Sequence, residues 1–223
     1  MKKIKLYILF LFTGITITTF SQNKNPYIDN SEEYTKVITG RAAKIINELG
    51  IEDSSKYYRV LSIIVEQYRN ISATHDFKDA LIKKQKEQDS PYKESKIIAV
   101  KDSTYAALRI LHAHFIAGLA TELGPEQIEK VKEGMTYGRF QRDLNVFYDM
   151  IPELTDEQKR YIYTAMYEAR ELAMDEGSSK NKHKVFDKYR GRINNYLSAE
   201  GYDLKQKRIE WEERLKKEKE QNK

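Results

Sequence analysis

Apolar residues recur three and four positions apart along most of the chain, and no convincing strand pattern appears. That period marks helices with one buried stripe rather than strands. Val37, Ile38, Ile45 and Leu49 share such a stripe behind the start signal Ser31-Glu32-Glu33, and Gly50 is placed to end it. Asp53 opens a longer pattern through Tyr57, Val60, Leu61, Ile64, Tyr68, Ile71 and His75, which frays in the polar run KKQKEQD. Ser90-Pro91 reads as a cap followed by proline at the first helical position. Leu108, Leu111, His112, Phe115 and Leu119 then carry a third helix to Leu123-Gly124, with a break expected near Lys101-Asp102-Ser103.

Pro125 begins a short fourth helix from Glu126 to Glu133, and Gly134 and Gly138 bracket a turn. Phe140, Leu144, Phe147, Tyr148 and Ile151 form the stripe of a fifth helix that stops before Pro152. Thr155 and Gln158 make a capping box for a sixth, whose apolar side holds Ile162, Ala165, Met166, Ala169, Leu172 and Ala173 up to Gly177. Ser178 or Ser179 caps the next helix, with Phe186, Tyr189, Ile193, Tyr196 and Leu197 on its apolar side and Gly201 at its end. Lys184, Lys188 and Arg192 fall at i, i+4 and i+8 on a different stripe of that helix. Leu204, Trp211 and Leu215 give a charged C-terminal helix over 204–223 one thin apolar edge. The fold class is therefore all-α: a compact bundle of about six to eight helices, with one helical domain over 31–203. The frame E-L-x-x-E-Q occurs at both Glu122–Gln127 and Glu153–Gln158, where helix-start chemistry accounts for it better than duplication.

The N-terminus changes the picture of where the chain works. MKKIK, the apolar LYILFLFTGITITTF and then Ser21-Gln22 have the layout of a signal peptide over 1–21, with cleavage after Ser21 and a polar lead-in over 22–30. The expected location is periplasmic or secreted, with no integral membrane segment in the mature chain. The absence of cysteine removes disulfides, thiolate metal ligands, a cysteine nucleophile and lipidation at the cleavage site. The leader carries Lys2, Lys3 and Lys5 and no acids, so its loss lowers the formal charge from +5 to +2. A near-neutral chain with interspersed signs speaks against nucleic acid as a partner.

No E-x-x-H pair occurs, and His112 and His114 point about 200° apart on a helix, so neither a metal nor another cofactor is expected. Nucleophile-elbow, Walker and dinucleotide motifs are also missing. Glu168, Glu171 and Asp175 lie along one helix edge beside Arg170. Crowding of like charges there would raise a carboxyl pKa and make a general acid, although a solvated edge is the commoner meaning. The turn Gly177-Ser178-Ser179-Lys180 presents free N–H groups at a helix start with Lys182 and His183 close by, which suits an anion unless the serines satisfy those groups. Arg190, Arg192, Asn194 and Asn195 add forked and amide donors, and asparagines are uncommon inside a helix. Tyr163 and Tyr167 lie off the main stripe, placed either to stack on a sugar or to pack a second helix.

The strings KEGMTYG (132–138), DMIPELTDEQK (149–159), EARELAMDEGSSKNKH (168–183) and GRINNYLSAEGYD (191–203) together resemble the secreted family catalogued as domain of unknown function 3826. The resemblance covers chiefly 122–203, with a weaker match at VEQYRNISATHD (65–76). It implies an exported protein of Bacteroidota whose gene lies among those for breakdown of uronate- and rhamnose-containing polysaccharides, and it brings no mechanism onto named residues. The expected function is thus an exported accessory protein binding an acidic oligosaccharide or polysaccharide, or a partner enzyme. Its ligand contacts would be Arg170, Ser178, Ser179, Lys180, Lys182, His183, Arg190, Arg192, Asn194 and Asn195. Two rival readings stand beside it: an enzyme on such a glycan with Glu171, Asp175 or His183 as proton carriers, and a periplasmic chaperone, since LTDEQ is similar to a short L-T-x-x-Q chaperone motif.

Overall fold

A computed structural model describes residues 27–29 and 31–221; the expected signal peptide lies outside them. Among the described residues the chain forms eight helices and no strand. They are α1 (Glu32–Asn47), α2 (Ser54–Glu87), α3 (Lys93–Ala120), α4 (Pro125–Met135), α5 (Arg139–Met150), α6 (Asp156–Met174), α7 (Ser179–Ala199) and α8 (Leu204–Gln221). Most starts are fixed by side chains that accept otherwise free N–H groups. Ser31 accepts from Tyr34, Asp53 from Ser55 and Lys56, and Ser178 from Asn181. Thr155 and Gln158 satisfy each other's backbone N–H, and Gln127 accepts from the N–H of Gly124 in the same way.

Two expectations near α3 fail for local reasons. Ser90-Pro91 does not start the helix: the N–H of Tyr92 donates to Ser90 Oγ and that of Lys93 to Ser90 O, making a turn that delays the start to Lys93. Nor does the helix break at 101–103. The hydroxyls of Ser103 and Thr104 fold back onto the carbonyl of Val100 at 3.0 and 2.7 Å, so these polar residues are satisfied inside a continuous helix.

The apolar stripes converge on two cores. Ile38, Ile46, Ile64, Leu119 and Met135 anchor the one built from α1–α4, while Ile162, Met166, Phe186, Ile193 and Leu197 anchor the one built from α5–α7. Met174, the last residue of α6, is buried in the first core although the rest of α6 belongs to the second. Helix α4 packs against α1, α3, α5 and α6 and so joins the halves. Gly134 lets it lie close to α1, because a Cβ there would come within 2.7 Å of Ile45 Cγ1. Helix α8 contributes no buried residue. It is fastened to the α5–α6 corner by Trp211 and Arg214 donating to the side chain and carbonyl of Asp149, and by the Lys207–Glu153 ion pair.

Candidate functional site

Where the two cores meet, the contact is polar. Lys132, Thr136, Arg139, Asp143, Arg170 and Lys182 are all buried. From α4, Lys132 Nζ reaches Glu171 at 3.1 and 3.3 Å and Glu129 at 3.3 Å. Arg170 pairs with Glu129 and Glu171 while its guanidinium lies 4.5 Å from the ring centre of Phe140 and 5.0 Å from that of Tyr167. His112 of α3 is held from both sides, Nδ1 donating to Asp175 at 3.0 Å and Nε2 to Glu171 at 3.2 Å. Those two carboxylate partners raise the imidazole to about 9, so the ring is a cation at neutral pH. Burial alone would push Glu171 up, but hydrogen bonds from His112 and Lys132, with the charges of Lys132 and Arg170, bring it down to about 2. Neither group shuttles a proton near neutrality. Glu171 is thus held as a carboxylate, because its neighbours are cations and not only the acids of its own helix edge.

Lys182 and Arg139 complete the seam. The Lys182 ammonium donates to the carbonyls of Met135 at 3.1 Å and Met174 at 3.3 Å, the last residues of α4 and α6. A cation at two helix C-termini is favoured by both dipoles, yet burial still lowers its pKa to about 8. Arg139 donates to Asp143 and Asp187 at 3.0 Å each and to His183 Nδ1 at 3.2 Å, which leaves the His183 ring proton on Nε2.

Beside this seam a groove opens between α2–α3 and α6–α7. It consists of hollows of 380 and 610 Å³ that share Lys78, Tyr105, Leu108 and Glu176. Lys78, Lys86, Lys101, Arg109, Lys184 and Lys188 line it against Asp79, Asp175 and Glu176. Tyr105 stands 62% exposed on its wall. Asp175 belongs to both places, since it lines the groove and accepts from His112, while its carbonyl accepts from His75 Nε2 at 2.8 Å. Such a surface suits recognition of a negatively charged, extended ligand.

A family model described as "Protein of unknown function (DUF3826)" matches residues 35–217. The chain belongs to that family. The DUF3826 match runs from within α1 to within α8 and therefore takes in both cores and the seam between them. Among curated proteins none matches the chain. No helix of the described DUF3826 residues is long and apolar enough to cross a membrane, and no group of three or more His, Asp or Glu among them is arranged to hold a metal ion.

The residues singled out in the sequence do not form one surface of this DUF3826 protein. Arg170 and Lys182 are interior, because their charges are taken up by acids and by helix-end carbonyls. Lys182 therefore cannot join Lys180 in an exposed anion site. Ser178 spends its oxygen on the N–H of Asn181, and Ser178, Ser179 and Lys180 lie exposed at the tip. His183 is half-buried against Arg139, 5.7 Å from the Tyr137 ring. Arg190 and Asn194 line a separate 310 Å³ hollow with residues of α5 and α8. Arg192 lies over the Tyr189 ring at 4.6 Å, and Asn195 is exposed. Tyr163 and Tyr167 pack on Phe140, with ring centres at 5.5 and 6.4 Å, which makes them helix-packing residues.

The groove cations of α2 and α3 were not singled out in the sequence, although a signal exists. Lys78-Ile82-Lys86, Lys101-Tyr105-Arg109 and Lys184-Lys188-Arg192 each repeat at i, i+4 and i+8. Each triplet alone looks like a solvated helix face. Only the packing of the helices brings these stripes, Arg192 excepted, to a common opening.

Proposed function

We propose that this protein is an exported accessory protein of polysaccharide use that holds a segment of an acidic glycan in the groove between α3 and α7. The observation that supports the reading most is the excess of six cations over three acids lining an open groove with an exposed tyrosine on its wall. Carboxylates spaced along a uronate chain match lysines spaced one helical turn apart, and a tyrosine face suits the apolar side of a sugar ring. Surface charge of this kind recognises by sign and attraction at a distance, so binding should weaken steeply with salt. Catalysis has less support, because Glu171 is held ionised and His112 protonated.

The test is calorimetric titration with size-fractionated rhamnose- and uronate-containing oligosaccharides, followed by chromatography of the same mixtures. Saturable heat that fades with salt, no cleavage products, and about tenfold weaker binding in a Lys184→Glu/Lys188→Glu variant are expected. Unchanged affinity in that variant removes the groove from the reading. Cleavage products would replace it with an enzyme, and no heat at all would turn attention to a protein partner.

A further inference from the structure

A second hollow, of 290 Å³, lies between the first half of α2 and the second half of α3 and shares no lining residue with the groove. Ile63, Glu66, Gln67 and Asn70 reach it from α2 at i, i+3, i+4 and i+7, and Leu111, His114, Phe115 and Gly118 repeat that spacing on α3. Gln67 is only 5% exposed, yet its side-chain amide makes no hydrogen bond among the described residues. Both amide atoms still touch solvent, unlike Arg69 Nε, Gln85 Oε1 and Glu133 Oε2, which are unpartnered and sealed in. Buried polar groups are almost always paired, so an open amide at this depth points to a partner from outside the fold. Three more side chains at the hollow are uncommitted. Glu66 and His114 are exposed and in no ion pair or hydrogen bond among the described residues, while Asn70 lends its main-chain carbonyl to Thr74 and leaves its side-chain amide unused.

The lining narrows the chemistry of that partner. No lysine or arginine faces the hollow and Glu66 brings a negative charge, so an anion is repelled. A cation would answer Glu66 but leave the amide N–H groups of Gln67 and Asn70 without acceptors, and a hydrocarbon would leave every polar group bare. Hydroxyls on neighbouring carbons both donate and accept, as the two ends of a side-chain amide require, and the C–H side of a ring suits the apolar surface of Ile63, Leu111 and Phe115. We propose that this hollow is a second binding site, for one uncharged sugar ring held by a pair of neighbouring hydroxyls. These donate to Gln67 Oε1 and Glu66 and accept from the amides of Gln67 and Asn70. The volume fits a single ring rather than a chain. The site stands whether or not the groove binds polymer, and it selects against the charge that the groove attracts.

The probes are the methyl glycosides of D-glucose, D-galactose and D-mannose, which between them present neighbouring hydroxyls in trans and in cis. Each is titrated into the protein while nitrogen–proton correlation spectra follow the side-chain amide resonances of Gln67 and Asn70. At least one glycoside should shift both resonances saturably. The uronate of that same sugar, and N-methylacetamide with an amide in place of hydroxyls, should bind at least about tenfold more weakly. Gln67→Met should weaken the sugar by at least about tenfold while the melting temperature stays unchanged or rises, because a thioether of similar shape replaces an amide that the fold leaves unpaired. The groove variant Lys184→Glu/Lys188→Glu should leave neutral-sugar affinity intact, which separates failure here from failure of the groove. Any of four results overturns the proposal: no saturable shift with any glycoside, equal affinity for the uronate or N-methylacetamide, full affinity in Gln67→Met, or loss of neutral-sugar binding in the groove variant. A lower melting temperature in Gln67→Met would do so as well, by showing that the amide serves the fold.

Discussion

Replacing His112 by glutamine removes a seam cation that the folded chain protonates far more readily than the unfolded chain, and its contribution can be read from pH alone. The imidazole side chain is 19% exposed and held by Asp175 and Glu171, with Lys132 sharing the Glu171 carboxylate. In the folded chain it keeps its proton to about 9, whereas the unfolded chain releases it at 6.5. Between those values the native state binds more protons, so stability falls as pH rises: the contribution is whole below 6.5 and lost above 9. The displacement corresponds to about 3 kcal/mol, which solvent at the rim reduces to about 2 kcal/mol. Lys182 acts in the opposite sense but later. It loses its proton at about 8 when folded against 10.5 when unfolded, so stability is gained as pH rises through that range. The interval from about pH 6 to about pH 8 therefore belongs to His112. Urea melts of the wild type and His112→Gln across it, compared pH by pH, cancel the titrations common to both chains. The advantage of the wild type should shrink by about 1 kcal/mol from the acid to the alkaline end. A gap that stays constant or widens would refute the account of the seam as an imidazolium bridge.

Other outcomes follow from the same geometry. Relative to Lys182→Met, the wild type should gain stability as pH rises from about 8 towards 10.5, seen in urea melts, because only the wild type has a buried ammonium to discharge. Gly134→Ala should lower stability by about 1 kcal/mol despite better helix propensity, since the new Cβ would crowd Ile45, and thermal melts measure the sign directly. Phe186→Ala should cost about 3–5 kcal/mol in denaturant melts, because the ring is fully buried and also lies beneath the Arg139 guanidinium.

Helix identity was legible in the sequence because each stripe repeats over several turns and most ends carry a cap, as at Ser31, Asp53 and Thr155. The misjudged places were decided by one or two hydrogen bonds: Ser90 closing a turn, and Ser103 with Thr104 turning back onto Val100. The site was harder to see. Glu171 and Asp175 were visible as acids, but their partner His112 lies on α3, far off in the chain, and a single helix edge gave no hint that cations would decide their charge. Lys182 looked like a solvent-facing lysine between Lys180 and His183 because the pattern of its own helix contains no information about the C-termini of α4 and α6. Long-range pairing, not local pattern, sets the chemistry here.

The placement of Met174 has a consequence for how the molecule comes apart. One end of α6 is locked into the first core while its body fills the second, and the bond from Lys182 to the Met174 carbonyl ties α7 to the same point. Opening either half alone would strip a buried methionine and leave Arg170, Lys132 and Lys182 facing unmatched carboxylates and carbonyls in a low-dielectric gap. Such stranded charges are expensive, so intermediates with one intact half are disfavoured. Two cores that look separable thus behave as one cooperative unit, and fluorescence from Trp211 and helical circular dichroism should trace a single, superimposable unfolding transition.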